Sequence, residues 1–206
     1  MNKNNENEPL EYVRGFTEFL GCRIDLSKRP LIPRPETEFW VQEVIKIVGC
    51  RRPHNFRVLD IFAGSGCIGL AVLKHIKNCQ VVFADIENRM TGHKVVRSDV
   101  FSNIKGKFDY IFANPPYVAE KLKHKVQKSV LKFEPQKALF GGEDGLFYIR
   151  KFLAEAKNFL NPGGCIFMEF SPEQKNKIEK LLKKHKYSNR EFHRDQYGKW
   201  RWVVVK

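Results

Sequence analysis

The sequence predicts an α/β fold built on a seven-stranded, mostly parallel sheet whose last strand is antiparallel. Short apolar runs alternate with segments in which apolar residues recur at helical spacing. Several of these runs end in a polar residue or a glycine loop, which is typical of α/β sheets that carry their chemistry along one edge. The final two runs are joined by a short turn around Gly198, so these two strands should be antiparallel.

The first half of the chain is predicted to alternate helices and buried strands. Pro35 suits the first turn of a helix, and apolar residues follow it at helical spacing until Arg51-Arg52-Pro53 breaks the pattern. Each strand is a short apolar run. The predicted elements are a helix over residues 36–48, a strand over 57–62, a helix over 67–76, and strands over 80–85, 94–97 and 108–113.

One connection in this half is unusually short. Only residues 86–93 separate the strands over 80–85 and 94–97, whereas a helical crossover between parallel strands normally needs a dozen or more residues. We therefore expect the usual covering helix to be missing there.

The second half is predicted to contain two helices and three strands. Asp144 should cap a helix whose apolar residues share one face as far as Leu160, and the Asn-Pro-Gly-Gly at residues 161–164 should end it. The remaining elements are a strand over 165–170, a helix over 173–185, and closing strands over 190–193 and 200–205.

Length and composition indicate a single globular domain. The chain has 206 residues and 42% hydrophobic residues, enough for one full core. We expect residues 1–11, which lack the apolar run of a signal peptide, to be disordered or flexible, and residues 12–206 to form the domain. The five cysteines are scattered without C-x-x-C spacing, which favours reduced thiols in a cytoplasmic protein and no metal site.

The net charge of +14 indicates either a polyanionic partner such as RNA or a lysine-rich solvated surface. Two lysine clusters contribute to it, over residues 121–132 and 175–186. The second cluster lies on an ordinary amphipathic helix. The first follows a candidate site and could steer an acidic or RNA-bound partner.

That candidate site is the stretch Asn114-Pro115-Pro116-Tyr117, which directly follows an apolar strand. Neither proline has an amide hydrogen and each fixes its own φ, so the strand must stop at Asn114. One interpretation is an ordinary turn. The other is a rigid ledge that holds an amide side chain and a backbone carbonyl at the strand's C-terminal edge.

A glycine loop is the second candidate. In DIFAGSGCIG, residues 60–69, Gly64 and Gly66 leave backbone amides open to a ligand. The loop lacks the full G-x-G-x-x-G spacing and a Walker lysine, which disfavours a dinucleotide or a triphosphate. Asp85 ends the next strand, where a carboxylate commonly binds ribose hydroxyls, although it could be an ordinary strand-end carboxylate.

Several segments together resemble the HemK/PrmC family of protein-(glutamine-N5) methyltransferases, which use S-adenosyl-L-methionine and release S-adenosyl-L-homocysteine. The resemblance runs from about Tyr12 to the C-terminus and implies a class I Rossmann-like methyltransferase fold. NPPY alone also occurs in adenine-N6 methyltransferases of nucleic acids. The segments that carry the resemblance are LIPRPETE, DIFAGSGCIGL, ADI, NPPY, FEPQKALFGGEDGL, LNPGG and RDQYGKWRWVVV.

The resemblance implies what the ledge does. The Asn114 side-chain oxygen and the Pro115 carbonyl would accept the two N–H hydrogens of a substrate amide and stabilise the charge that grows on its nitrogen. Pro116 would stiffen the ledge, and Tyr117 would pack along the flat amide. Glutamine in the Gly-Gly-Gln loop of a peptide-chain release factor would be the substrate.

The resemblance also implies the residues that bind the ligands. Arg34, Glu36 and Thr37 would bind substrate with Asn114, Pro115 and Tyr117, although the first three could instead serve helix capping and an ion pair. The implied cofactor-binding residues are Phe62, Ala63, Gly64, Ser65, Gly66, Asp85, Asp99, Val100 and Asn114.

The sequence departs from the family in three respects. Phe62 replaces a loop glycine, and the short connection over residues 86–93 removes a helix that would help to cover the cofactor. We also expect a minimal form without the N-terminal helical domain of bacterial members. Three functions therefore stay open: a release factor methyltransferase, an adenine-N6 methyltransferase acting on RNA or DNA, and a non-catalytic protein that binds S-adenosyl-L-methionine.

Overall fold

The computed structural model describes residues 8–49 and 55–206, so the predicted helix break at 51–53 lies outside the described residues. A short helix α1 (Leu10–Arg14) comes first and is followed by a small antiparallel hairpin of β1 (Phe16–Phe19) and β2 (Cys22–Asp25). Leu20 and Gly21 form its turn with φ of 47° and 72°, as a two-residue hairpin of this kind requires. The sequence analysis predicted neither α1 nor this hairpin.

The main sheet has seven strands, and only the last runs antiparallel to its neighbours, as predicted. The strands are β3 (Phe56–Ile61), β4 (Cys79–Asp85), β5 (Val95–Arg97), β6 (Phe108–Ala113), β7 (Leu160–Glu169), β8 (Arg190–Arg194) and β9 (Trp200–Val205). Their order across the sheet is β5-β4-β3-β6-β7-β9-β8.

Helices cover both faces of this sheet. On one face α2 (Pro35–Gly49) and α3 (Cys67–His75) bury a core around Trp40 and Phe112. On the other face α5 (Phe147–Glu155) and α6 (Lys175–Lys184) bury a core around Phe152. Every residue of the central strand β6 is buried as a result, which explains its unbroken apolar character. A further short helix, α4 (Lys128–Phe133), lies in the long connection between β6 and α5.

Three predicted boundaries in the second half need correction. Helix α5 ends at Glu155 and is followed by a 3-10 turn over Ala156–Phe159, and β7 begins at Leu160 rather than at 165. The early start occurs because Leu160 pairs with Phe108 on the neighbouring strand. Asp144 is not the cap residue of α5; Leu146 holds that position, and its amide donates to Asp144 Oδ1 at 3.1 Å.

The connection after β4 contains no helix over residues 86–94, as predicted. Arg89 instead donates to the carbonyls of Lys28 and Arg29, at 3.1 and 2.9 Å, and Lys28 Nζ donates to the Met90 carbonyl at 2.6 Å. Met90 is buried against Gly66, where it leaves no room for a side chain. The segment before α2 therefore holds residues 86–94 in place where a helix was missing. Residues 98–107, between β5 and β6, also form no helix, and the sequence analysis assigned none there.

None of the helices formed by residues 8–49 and 55–206 combines the length and apolarity that a membrane crossing requires.

Candidate active site

A cavity opens at the C-terminal ends of β3, β4 and β6, where the polar ends of these parallel strands meet. The segment that leads into α2 forms another wall, and Pro135, Lys137 and Ala138 also line the cavity. The predicted site residues that line the cavity are Arg34, Thr37, Phe62, Ala63, Gly64, Ser65, Asp85, Asp99, Val100, Asn114 and Pro116. The structure thus brings together residues from five separate stretches of the sequence.

Four predicted site residues do not line the cavity. Gly66 begins α3 with φ of 78° and faces Met90. Pro115 is buried, so only its backbone can serve the site. The Tyr117 hydroxyl is directed toward the buried Glu169, and Glu36 lies on the first turn of α2 outside the lining.

The glycine loop is anchored to the end of β4. The Gly64 amide donates to Asp85 Oδ2 at 2.9 Å, and the Ala63 amide donates to the Ala84 carbonyl at 3.0 Å. The other oxygen of Asp85 accepts from the Glu87 amide at 2.9 Å. Burial raises the pKa of the Asp85 carboxyl, and these amide hydrogen bonds oppose that rise. Asp85 therefore shapes the loop as well as facing the cavity.

Two residues in the cavity wall have left-handed backbones that normally favour glycine. Phe62 has φ of 62° and Val100 has φ of 54°. Such conformations cost on the order of 1–3 kcal/mol and persist only where the surroundings impose them. The Phe62 ring packs against Tyr148 and Phe152 of α5, with ring centroids 6.1 and 6.2 Å apart. Phe62 thus has a backbone conformation that glycine usually adopts, and its ring is held by α5.

The Asn114 side chain lies at the end of β6 with its amide nitrogen turned toward α2. Asn114 Nδ2 donates to Thr37 Oγ1 at 3.4 Å, a long hydrogen bond. Because Nδ2 has this partner, Oδ1 is the atom left to accept a hydrogen bond in the cavity. The two buried prolines that follow restrict the backbone on which the amide is mounted.

The GGEDG segment, residues 141–145, packs directly against the backbone that follows Asn114. The Gly141 amide donates to the Val118 carbonyl at 2.9 Å. A Cβ atom on Gly141 would lie 2.3 Å from the Pro116 carbonyl oxygen, and one on Gly145 would lie 2.2 Å from the Tyr117 carbonyl oxygen. Only glycine fits at either position, so the GGEDG segment can pack closely against the NPPY stretch.

Glu169, at the end of β7, was missed by sequence reasoning, although it bonds to the predicted site residues Thr37 and Tyr117. It is 1% exposed and accepts three side-chain hydrogen bonds. Thr37 Oγ1 donates at 2.8 Å, Trp40 Nε1 at 2.7 Å and the Tyr117 hydroxyl at 2.9 Å. Burial raises the pKa of Glu169, and these donors oppose that rise. Burial, together with the Glu169 charge, also raises the pKa of Tyr117 well above its usual value. A glutamate inside the apolar run over residues 165–170 was the available signal.

Arg34 forms the ion pair that was one of its two predicted roles. Its guanidinium lies 2.7 Å from Glu134 Oε1, and the Ile32 amide donates to the other oxygen at 3.1 Å. Glu134 is buried in the FEPQ stretch next to the lining residue Pro135, so this pair links that stretch to the segment that leads into α2.

The residues around the cavity fit the S-adenosyl-L-methionine that the resemblance implies. Asp85 supplies a carboxylate for the ribose hydroxyls, and the open loop at Gly64 supplies backbone that a charged tail can approach. Ile86, Val100 and Pro135 give an apolar wall for a flat base. In residues 8–49 and 55–206 no group of three or more histidine, cysteine or acidic residues is placed to hold a metal ion.

Comparison with known proteins agrees with this geometry. A family model described as "Methyltransferase small domain" matches residues 50–143. The release factor glutamine methyltransferase of Streptococcus pneumoniae is 35% identical over 212 residues, which cover 96% of this chain and 75% of that protein. The protein of the same name from Clostridium botulinum is 31% identical over 215 residues, with the same coverage of 96% and 75%.

A solved structure supports the fold. The protein-(glutamine-N5) methyltransferase (release factor-specific) from Alicyclobacillus acidocaldarius superposes with a TM-score of 0.55 and 23% identity, covering 85% of this chain and 93% of that chain. At this identity the likeness shows the fold alone, and it confirms the predicted class I methyltransferase architecture.

Proposed function

The chain belongs to the family of release factor glutamine methyltransferases, and from this membership we propose that it methylates the glutamine of the Gly-Gly-Gln loop of a peptide-chain release factor. The methyl group comes from S-adenosyl-L-methionine and is transferred to the side-chain amide nitrogen. The observation that best supports this proposal is the orientation of Asn114, whose Nδ2 is taken by Thr37 so that Oδ1 can accept from a substrate amide. We further propose that residues 12–206 form the catalytic domain and that it acts in the cytoplasm, where translation takes place.

Binding of the cofactor is assigned to the glycine loop and the end of β4. Asp85 would hold the ribose hydroxyls, Gly64 and Ser65 would lie along the methionine part, and Asp99 and Val100 would flank the adenine. When bound, the cofactor supplies an electrophilic methyl group on a sulfonium.

The chemical role of the chain is to prepare a poor nucleophile. An amide nitrogen shares its lone pair with the carbonyl, so it must be held in line and its growing positive charge must be stabilised. Asn114 Oδ1 and the Pro115 carbonyl would accept its two N–H hydrogens and provide both effects. The product nitrogen can lose its proton after transfer, so no side chain has to act as a base in that step.

The experiment that tests this function is label transfer from S-adenosyl-L-methionine to purified release factor, with RNA in a parallel reaction. We expect label in the release factor and none when the glutamine of its Gly-Gly-Gln loop is replaced. Label in RNA would point to an adenine-N6 methyltransferase instead. Cofactor binding without transfer to either acceptor would point to a non-catalytic binding protein.

Replacing Asp85 by alanine should weaken cofactor binding, because it removes both the proposed ribose contact and the acceptor that anchors the Gly64 amide. We expect a loss of about 1–3 kcal/mol, the usual effect of removing a charged hydrogen-bond partner. Titration calorimetry with S-adenosyl-L-homocysteine measures it. Asp25→Ala, in the exposed end of the hairpin, is the control. If the two variants bind S-adenosyl-L-homocysteine equally well, Asp85 does not belong to the cofactor site.

The exposed lysines that follow the ledge should guide the release factor to the site. Lys121, Lys123 and Lys125 lie on a 3-10 helix over Glu120–Lys125. Attraction by such a surface raises the encounter rate and is screened over about 10 Å at ordinary salt. Added salt should therefore lower kcat/KM for intact release factor steeply and leave cofactor binding unchanged.

Reversing these three lysines to glutamate should reproduce that loss at low salt. The matched control reverses three exposed lysines at the end of α6 and just beyond it, Lys180, Lys184 and Lys186, which changes the net charge equally. If both triple variants lose activity alike, only net charge matters. If the first triple variant keeps its kcat/KM, the stretch is a solvated face and another surface must bind the release factor.

A further inference from the structure

The buried carboxylate of Glu169 is connected to the Asn114 amide through one intermediate side chain. Met168 of β7 pairs with Ala113 of β6, so Glu169 and Asn114 are the next residues along neighbouring parallel strands. Glu169 does not line the cavity, and Thr37 lies between the two side chains. Thr37 Oγ1 donates to Glu169 Oε2 at 2.8 Å and accepts from Asn114 Nδ2 at 3.4 Å.

The Glu169 carboxylate determines which group donates in each hydrogen bond of the series that links it through Thr37 to Asn114. An ionised carboxylate can only accept hydrogen bonds, and a threonine hydroxyl has a single hydrogen to donate. Because Thr37 gives that hydrogen to Glu169, its oxygen can offer Asn114 only a lone pair. Asn114 must then present its NH₂ group to Thr37, which leaves Oδ1 as the acceptor on the opposite side of the amide.

The surroundings keep Glu169 in place as an acceptor. Trp40 donates to the same oxygen as Thr37, and its fully buried ring is stacked between Phe112 and Trp202 with centroids 6.1 Å from each. The Tyr117 hydroxyl donates to the second oxygen at 2.9 Å. Each carboxylate oxygen therefore already has a donor, so a rotation of the carboxylate would break several contacts at once.

We propose that Glu169 is a positioning residue that fixes the orientation of the Asn114 amide by acting through Thr37. The proposal rests on the proposed function, because it identifies what directs an acceptor rather than a donor at the substrate amide. An apolar side chain in place of Glu169 would remove this control, because the Thr37 hydrogen would then be free for Asn114 Oδ1 and the Asn114 amide could turn over. A glutamine would keep the control, because the Trp40 indole can only donate. The glutamine oxygen must then face Trp40 and Thr37, and its NH₂ group can donate to the Tyr117 hydroxyl.

The first test compares Glu169→Met with Glu169→Gln and Asp109→Leu. Asp109 is a buried carboxylate near the start of β6, so its variant also exchanges a buried carboxylate for an apolar side chain. We expect Glu169→Met to lower kcat by about tenfold or more, with the affinity for S-adenosyl-L-homocysteine changed less than about threefold. Glu169→Gln and Asp109→Leu should keep their kcat. A normal kcat in folded Glu169→Met overturns the proposal.

The second test asks whether Glu169 acts through Thr37. Thr37→Val removes the hydroxyl at nearly constant shape, and Thr37→Ser retains it. We expect Thr37→Val to match Glu169→Met, Thr37→Ser to stay close to wild type, and the double variant Thr37→Val/Glu169→Met to be no worse than either single variant. Losses that multiply in the double variant would show that the two residues act separately, which contradicts the proposal.

A measurement made without substrate tests the positioning role of Glu169 independently of the proposed function. The side-chain amide signals of Asn114 in a ¹⁵N–¹H spectrum are identified by their loss in Asn114→Ala. They should shift in Glu169→Met and in Thr37→Val and stay in place in Asp109→Leu. Unchanged signals in Glu169→Met would overturn the positioning role. A wild-type protein that fails to methylate release factor would overturn the proposed function, whatever these signals show.

Discussion

Replacing Asn114 by alanine should lower kcat for release factor methylation by about two to three powers of ten, while cofactor affinity stays within a few-fold of wild type. The reason is that an acceptor aimed at the amide N–H contributes most when positive charge develops on that nitrogen. Its loss therefore falls on the chemical step. The backbone of the ledge should survive, because the two buried prolines and the glycine segment behind them fix it independently of the side chain.

Single-turnover label transfer at saturating cofactor measures this rate, and calorimetry measures the affinity. Asn114→Asp is the informative companion, because it keeps an oxygen toward the cavity but cannot donate to Thr37. We expect its rate to lie between those of wild type and Asn114→Ala. Near-normal turnover of Asn114→Ala would refute the role of the ledge. A large loss of affinity would instead show that Asn114 mainly contacts the cofactor.

The strands of the main sheet could be predicted because burial on both faces leaves an unbroken apolar run. Strand β6 was predicted with its observed bounds of Phe108–Ala113, since prolines mark its end. The hairpin β1–β2 was missed because its turn carries Leu20 at φ of 47°, where asparagine or glycine would have signalled a turn. The start of β7 was missed because Leu160-Asn161-Pro162-Gly163 has the composition of a loop, and only pairing with Phe108 makes Leu160 part of the strand.

The candidate site, like the fold, could be predicted from the sequence only in part. Gly64, Asp85 and Asn114 stand at strand ends, where local sequence indicates their position, and all three line the cavity. The links between distant residues could not be predicted. Thr37 and Glu169 are 132 positions apart, and Arg34 and Glu134 are 100 apart. Such contacts depend on which strands become neighbours, and a single sequence does not specify that order.

The contact between Gly141 and Pro116 leads to the second large expected effect. Gly141 has an ordinary backbone conformation, so alanine is excluded there by space alone. Its Cβ would lie 2.3 Å from the Pro116 carbonyl oxygen and 2.7 Å from that of Gly145. Both obstacles are backbone atoms, which cannot rotate away as the end of a side chain could.

Gly141→Ala should therefore displace the Pro116–Tyr117 peptide and, with it, the neighbouring Pro115 carbonyl. We expect kcat to fall about a hundredfold, since a shift of about 1 Å in a catalytic group can have an effect of this size. Overpacking of this kind also destabilises a fold by about 1–3 kcal/mol, so the melting temperature must show that the variant is folded at the assay temperature. Cofactor affinity should change little, because the glycine loop and Asp85 lie on other strands. Gly49→Ala is the matched control, since nothing lies within 4 Å of its added Cβ on α2. If folded Gly141→Ala turns over release factor as fast as Gly49→Ala, the ledge tolerates displacement. Its rigidity would then not be what holds the substrate amide for transfer.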